Sequence, residues 1–248
     1  MNLIVKESYD ELSRYVAGEI AALLRGNPQA VLCLPTGNTP VGTYQELVRL
    51  HKEGRVSFAQ CTVFNLDEYY PIDPSDPNSY RSFMRKNLFD HVDIRPGSAN
   101  IPNGEAKDAD EECRLYEQKI RNSGGIDLAL LGIGRNGHIG FNEPDRELLL
   151  ETHVVTLTES TLQANCEPFG SIEAMPKQAL TMGLGTIMSA KRIIVIASGA
   201  SKKFAVEKML SSRITTDVPA TLLQLHPDVT LVIDKAVGVS SEGTRWTR

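Results

Sequence analysis

The segment IDLALLGIGRNGHIGFNEP, residues 126–144, sets an apolar run of strand length directly before a glycine-rich loop. A run this short, ending abruptly in glycine, reads as a β-strand. In an open α/β sheet, side chains just beyond a strand's carboxyl end face the ligand crevice. Gly132, Gly134, Gly137 and Gly140 free the backbone for tight turns and close approach to a ligand. His138 is the one side chain here that can accept and return a proton near neutral pH. Glu143 follows across a sharp turn, where it can orient that imidazole. The composition is that of an active-site loop. Gly132, Gly134 and Gly137 also satisfy G-x-G-x-x-G, but that fingerprint needs a helix opening at the third glycine, inside a unit of roughly 30 residues. Pro144 and an early apolar run at 153–157 break this context, which argues against a nicotinamide or flavin.

Two further strand–turn–helix junctions flank this loop in the sequence. Residues 30–34 form a short apolar run, PTGNTP follows at 35–40, and a helix is expected over 41–52. A strand that empties into a Gly/Thr/Asn turn and then opens a helix is suited to holding an anion. Backbone N–H groups and the positive helix end converge on one spot, and Thr36 and Thr39 add hydroxyl donors. An ordinary βα connection is the plainer alternative, and without GK[ST] the turn is no nucleotide P-loop. The core strand 192–197 similarly empties into SGASKKFAVEKML, which carries Lys202 and Lys203. Either lysine suits a second phosphate contact, or simply a solvated surface.

Between these junctions, the strand 61–66 ends in Asp67, Glu68, Tyr69 and Tyr70. A carboxylate at a strand end beside aromatic rings suits a buried base with a raised pKa. Successive strand residues point to opposite faces, so one of Asp67 and Glu68 is expected in the crevice and the other in a structural role. The remaining chain reads as a strand at 3–5, a helix from Ser8 to Gly26, helices near 79–89 and 108–122, and short strands at 100–101, 153–157 and 230–233. Residues 161–175 are polar, with Pro168 and Gly170, the composition of a mobile lid near 160–176. Residues 178–188 are expected to hold a helical turn or two, 219–225 a short helix, and the polar tail from Gly238 no fixed structure. Six or seven strands alternating with helices predict an α/β fold, a mostly parallel sheet with helices on both faces, in a single domain spanning 1–248.

Composition narrows the functional class. At 248 residues the chain can bury one large α/β core, and a net charge of −5 argues against a nucleic-acid partner. Cys33, Cys61, Cys113 and Cys166 make no CxxC pair, so neither zinc nor a disulfide framework is expected. Cys33 and Cys61 read as small core hydrophobes. His51, His91, His153 and His226 lack metal-ligand spacing, and no metal is expected. No apolar run approaches the roughly 18 residues that span a bilayer, and MNLIVKESYDEL lacks a signal-peptide core. A cytoplasmic protein with no membrane partner is the expectation.

The segments LPTGNTP, FNLDEYYP, NSYRSFM, LGIGRNGHIGFNEP, PKQALTMGLGTI and LQLHP, in this order, resemble the glucosamine-6-phosphate deaminase (isomerase) family. The likeness runs to about Asp234 and implies a modified doubly wound α/β sheet. It also implies a cofactor-free reaction on a small amino-sugar phosphate, in which glucosamine 6-phosphate and water give fructose 6-phosphate and ammonia. By the same resemblance Asp67 is the base that moves a proton between C2 and C1, and His138 catalyses ring opening. Glu143 fixes the imidazole's tautomer and charge, and Asn136 stands where many members carry aspartate. An asparagine can still orient His138 but adds no second negative charge, so a less stabilised imidazolium is expected. Thr36, Gly37, Asn38, Thr39 and Lys202 take the phosphate.

The chain departs from the family pattern in its lid. Glu167 aligns with an arginine that reaches the phosphate in well-known members, and Leu162 with another frequent arginine. A carboxylate there would repel the anion, so Glu167→Arg is expected to tighten binding unless the lid runs differently or another cation, such as Lys203, compensates. The serine and arginine that follow the loop glutamate in allosteric hexameric members are absent and the C-terminus is short, so no allostery is expected and the subunit count stays open. A galactosamine-6-phosphate deaminase or another amino-sugar isomerase would use the same machinery. A 6-phosphogluconolactonase would share the Gly-rich loops, but FNEP and FNLDEYY favour the deaminase. A sugar-phosphate effector domain without catalysis is disfavoured by the acidic charge and the lack of a helix-turn-helix.

Overall fold

Residues 1–239 are described by a computed structural model. The strands are β1 (Asn2–Lys6), β2 (Val31–Leu34), β3 (Thr62–Asn65), β4 (Asp67–Tyr70), β5 (Ala99–Asn100), β6 (Leu128–Gly132), β7 (His153–Thr156), β8 (Gln178–Thr181), β9 (Arg192–Ala197) and β10 (Val229–Asp234). The helices are α1 (Tyr9–Gly26), α2 (Val41–Lys52), α3 (Tyr80–Asn87), α4 (Ala109–Asn122), α5 (Glu159–Asn165), α6 (Leu184–Met188) and α7 (Lys203–Met209). The tail expected to be unstructured lies, beyond residue 239, outside the described residues.

The apolar runs became central strands because they bury both faces at once. In β9, Ile193, Val195 and Ala197 join one core while Ile194 and Ile196 join the other. The two cores lie on opposite sides of a seven-stranded sheet ordered β1-β10-β9-β6-β2-β3-β5, every pair of it parallel. α1, α2 and α3 cover one face through Leu12, Val16, Leu47 and Met84. α4, α6 and α7 cover the other through Tyr116, Ile120, Ile187 and Val206. α1 shows why such a helix starts where it does. Ser8 accepts the Glu11 N–H and supplies one of the hydrogen bonds that a first turn otherwise lacks. Buried Leu12, Val16 and Ile20 then recur along its inner stripe.

The expected architecture holds for this sheet, with two corrections beside it. Asp67–Tyr70 is not the tail of β3 but a separate strand, and the segment 178–188 opens with a further strand, 178–181, ahead of its helical turn. Together with β7 they form a second, antiparallel sheet ordered β4-β8-β7. The tetrapeptide QALT has no strong preference of its own; pairing with β4 on one edge and β7 on the other decides its conformation. The helical turn expected in this segment is α6.

Strand order also locates the crevice. β2 and β6 are neighbours, but the chain leaves β2 toward β3 and β5 on one side, and leaves β6 toward β9 and β10 on the other. The loops after β2 and β6 therefore part at the sheet's carboxyl edge and open a cleft there.

Candidate active site

A cavity of about 680 Å³ occupies this edge, a size typical of small-ligand sites. Thr36, Gly37, Asn38, Thr39 and Lys202 form one part of its wall, and Asp67, Asn136, His138 and Glu143 another. Every site residue anticipated from sequence thus reaches one cavity. Tyr80, Arg135, Thr161, Asn165, Ser198 and Ser201 line it as well. None of these six announces a role in the local sequence, although a cation within the glycine-rich loop at Arg135 is a visible signal in retrospect.

Asp67 heads β4 and is only 6% exposed. Burial, followed by the neighbouring Glu68 charge, pushes its carboxyl up to about 8. Its Oδ1 is buried without a hydrogen-bond partner. A buried polar atom left unpaired is expensive, and such an arrangement persists where a ligand or a reaction uses it. Glu68 takes the structural role that strand alternation assigned to one of the pair. Its Oε1 accepts the N–H groups of Tyr69 (2.9 Å) and Tyr80 (2.8 Å), and its Oε2 that of Arg81 (2.9 Å). Burial still leaves this carboxyl above the ordinary range, although the three donors pull it down.

The loop after β6 is built around His138. Gly134 N–H donates to the His138 carbonyl (2.9 Å) and Gly137 N–H to the Gly134 carbonyl (3.0 Å), so 134–137 is a closed turn. Gly137 has φ of +88°, open to glycine at little cost. At Gly134 a Cβ would meet His138 Nε2 at 2.4 Å, so glycine there makes room for the imidazole. His138 Nδ1 lies 3.0 Å from Glu143 Oε1, with the carboxylate off the N–H axis, so the contact is electrostatic rather than a well-directed hydrogen bond. Asn136 makes no hydrogen bond to the ring. Its Oδ1 accepts the His138 backbone N–H (3.1 Å) and its Nδ2 donates to Glu143 Oε2 (2.7 Å). Asn136 thus meets His138 through the backbone and through Glu143 rather than at the imidazole.

Glu143 has a third partner that the sequence did not suggest. Thr161 Oγ1, in α5, donates to Oε1 at 2.5 Å. Burial alone would raise the Glu143 carboxyl, but the His138 ring and the Thr161 and Asn136 donors outweigh it and hold it below the ordinary range. The segment expected as a lid thus borders the cavity, through Ser160, Thr161, Ala164 and Asn165. Thr158 caps α5 by accepting the Thr161 N–H, and Phe169 packs edge-on to Tyr69 with ring centroids 5.5 Å apart.

The phosphate end is equally braced. Tyr9 Oη donates to the Thr39 carbonyl (3.0 Å) and accepts the Gly42 N–H (2.8 Å), while Tyr44 Oη donates to the Pro35 carbonyl. Asp234 accepts from Ser198 Oγ and from the Gly199 N–H, fixing the turn before Lys202. Lys202 Nζ donates to the Ile133 carbonyl at 2.7 Å. Burial, then the Arg135 charge, lowers its pKa. Glu167 is exposed and outside the cavity lining. The expected repulsion is corrected accordingly: a carboxylate facing solvent is screened from the site. Lys203 is outside the cavity lining and pairs with Glu207 at 3.8 Å, and Leu162 packs against the aromatic cluster of Tyr69 and Phe141. Among the described residues no group of three or more His, Cys, Asp or Glu side chains could hold a metal ion.

Comparison with known proteins finds a family match over nearly the whole chain. Residues 5–232 match the model of the glucosamine-6-phosphate isomerases/6-phosphogluconolactonase family. A glucosamine-6-phosphate deaminase of Halothermothrix orenii is 50% identical over 235 residues, which cover 95% of this chain and 98% of that protein. The solved structure of a monomeric glucosamine-6-phosphate deaminase is 49% identical and superposes with a TM-score of 0.93, over 96% of this chain and 99% of that one. The 6-phosphogluconolactonase of Trypanosoma cruzi, 21% identical with a TM-score of 0.75 over 97% of each chain, shares the fold. With one cleft holding every anticipated site residue and a match running almost end to end, this chain belongs to the glucosamine-6-phosphate isomerase/6-phosphogluconolactonase family.

Proposed function

We propose that this chain is a glucosamine-6-phosphate deaminase, acting as an aldose–ketose isomerase that releases ammonia from an amino-sugar phosphate. The observation that carries the reading is a single cavity holding an unpartnered buried carboxylate, an imidazole–carboxylate pair and a threonine–glycine turn with a lysine. It also draws support from relatives of that name at about half identity. Phosphate sits in the turn Thr36–Thr39 with Lys202, which places the sugar ring toward Asp67 and His138. His138 takes the anomeric hydroxyl proton and returns it to the ring oxygen, and Glu143 stabilises the imidazolium in between. Asp67 then takes the C2 proton as the C1 carbonyl oxygen gains one, giving an enolamine, and delivers its proton to C1 as the amine nitrogen loses one. The resulting C2 imine adds water and expels ammonia to leave fructose 6-phosphate. A carboxyl with a pKa near 8 sits closer to its carbon acid than an ordinary aspartate does, which favours proton transfer in both directions.

A metal or organic cofactor has no part in this sequence of steps. The unpaired thiols of Cys33, Cys61, Cys113 and Cys166 fit a reducing cytoplasm, and among the described residues no helix is long and apolar enough to cross a membrane. The deciding assay follows ammonia release from glucosamine 6-phosphate and galactosamine 6-phosphate in parallel, with 6-phosphogluconolactone hydrolysis alongside. Glucosamine 6-phosphate is expected to be the better substrate, with no lactonase turnover. Faster lactone hydrolysis would overturn the reading, and preference for the galacto sugar would reassign the substrate.

Because Thr161 ties α5 to Glu143, its hydroxyl is expected to matter for ring opening. Loss of one charge-assisted hydrogen bond is worth roughly 1.5–3 kcal/mol. Thr161→Val should therefore lower kcat on the cyclic sugar by roughly tenfold or more, with Thr161→Ser close to the parent. Steady-state kinetics of the two variants checks this, and equal activity in both would leave Thr161 a packing residue.

A further inference from the structure

We infer that Arg135 is a second cation of the phosphate end, gripping the substrate's phosphate opposite Lys202. The inference rests on the reading of the site given above. Arg135 occupies the first corner of the closed turn 134–137, flanked by glycine on one side and by Asn136 on the other. Asn136 anchors that turn to the His138 backbone and to Glu143, so the arginine projects from a fixed platform. Its side chain is exposed and lines the same cavity as Thr36, Thr39 and Lys202.

Nothing described in the protein neutralises it. Among the described residues no ion pair includes Arg135. The cavity is lined by two carboxylates, Asp67 and Glu143. Glu143 is engaged with His138, Asn136 and Thr161, and Asp67 is buried beside Gly140. Two cations therefore face one cavity with neither in an ion pair among the described residues, and each disfavours the other: after burial, the Arg135 charge lowers the proton affinity of the half-buried Lys202. A dianion removes that repulsion. A phosphate monoester carries nearly two negative charges at neutral pH, and the planar guanidinium fork matches its oxygens in a way an ammonium cannot. Arginine also keeps its charge at any working pH, so the grip survives into the alkaline range in which Asp67 ionises. This accounts for a lid whose aligned position is Glu167: the charge comes from the loop beneath.

The test compares Arg135→Gln and Arg135→Lys with the parent protein on glucosamine 6-phosphate, with inorganic phosphate as competitor and unphosphorylated glucosamine as control. Removing a charge-assisted contact is expected to raise KM roughly 10- to 100-fold, with a smaller effect on kcat. The inhibition constant of inorganic phosphate should rise in step, the lysine variant should recover part of the loss, and residual turnover of glucosamine should not change. An unchanged KM and phosphate inhibition constant in Arg135→Gln would overturn the inference, as would equal losses on glucosamine and its 6-phosphate, which would mean a deformed loop. If the parent releases no ammonia from either amino-sugar phosphate, the functional reading fails. Arg135 is then judged by the thermal shift that inorganic phosphate gives the parent, which Arg135→Gln should abolish and whose persistence overturns the inference.

Discussion

Asp67→Asn is expected to abolish exchange of the C2 proton while making the fold more stable. A positioned general base contributes about 10²- to 10⁴-fold, so turnover should fall by at least that factor, and wash-in of solvent deuterium at C2 should fall with it. The stability change follows from the raised pKa of about 8. Below about pH 4, the range of an unfolded aspartate, the carboxyl is protonated in both states and contributes nothing. Between there and pH 8 the unfolded chain ionises while the folded one resists, so stability falls as pH rises, and above 8 the full penalty is present. The asparagine variant escapes that penalty. Its Tm should exceed that of the parent at pH 8, by roughly 2–4 °C for each kcal/mol in a chain of this size, and match it near pH 4. Loss of activity with a gain in stability marks a residue kept for function. The same ionisation predicts that kcat/KM climbs with pH toward a limb near 8 in the parent. Deuterium wash-in at a tenth of the parent rate or more in Asp67→Asn would remove this side chain from the proton transfer.

His138→Gln should separate ring opening from isomerisation. Glutamine keeps a polar group near Glu143 and Asn136 but cannot carry a proton from the anomeric hydroxyl to the ring oxygen. On the cyclic sugar, loss of that shuttle is expected to lower kcat/KM by about 10²- to 10⁴-fold. An open-chain analogue bypasses the step and should lose far less. Side-by-side kinetics on the two forms decides the matter. Matched losses on both would mean that the imidazole serves the proton transfer at C2, or merely props the loop. Gly134 makes the requirement for this ring visible in the backbone, since any Cβ there would collide with it.

Much of the site was legible in the chain because its chemistry is local. Thr36–Thr39, Asp67, His138 and Glu143 each sit where an apolar run stops and turn-forming or ionisable residues begin, and strand ends in parallel sheets gather at one edge. Alternation along β4 correctly separated Asp67 from Glu68, since opposite faces meet different surroundings. The contacts made by Thr161, Arg135 and Tyr80 were not legible. Thr161 reaches Glu143 across eighteen positions of chain, and its importance depends on where α5 docks. Arg135 looks like any loop arginine until the structure shows it in one cavity with Lys202 and in no ion pair among the described residues. Glu167 shows the converse, an alarming residue in the alignment whose side chain simply faces solvent.

By itself the sequence determined the elements that bury apolar surface at a fixed period, the turns whose chemistry admits few conformations, and the inventory of groups able to move protons. Only the tertiary structure decided that 178–181 is a strand, that β4 and β8 belong to a second sheet, and which cations share the cavity. The reason is physical. Periodicity and turn preference are set by neighbours along the chain, whereas pairing, docking and electrostatic company are set by how the whole chain minimises its exposed apolar surface and unpaired polar groups.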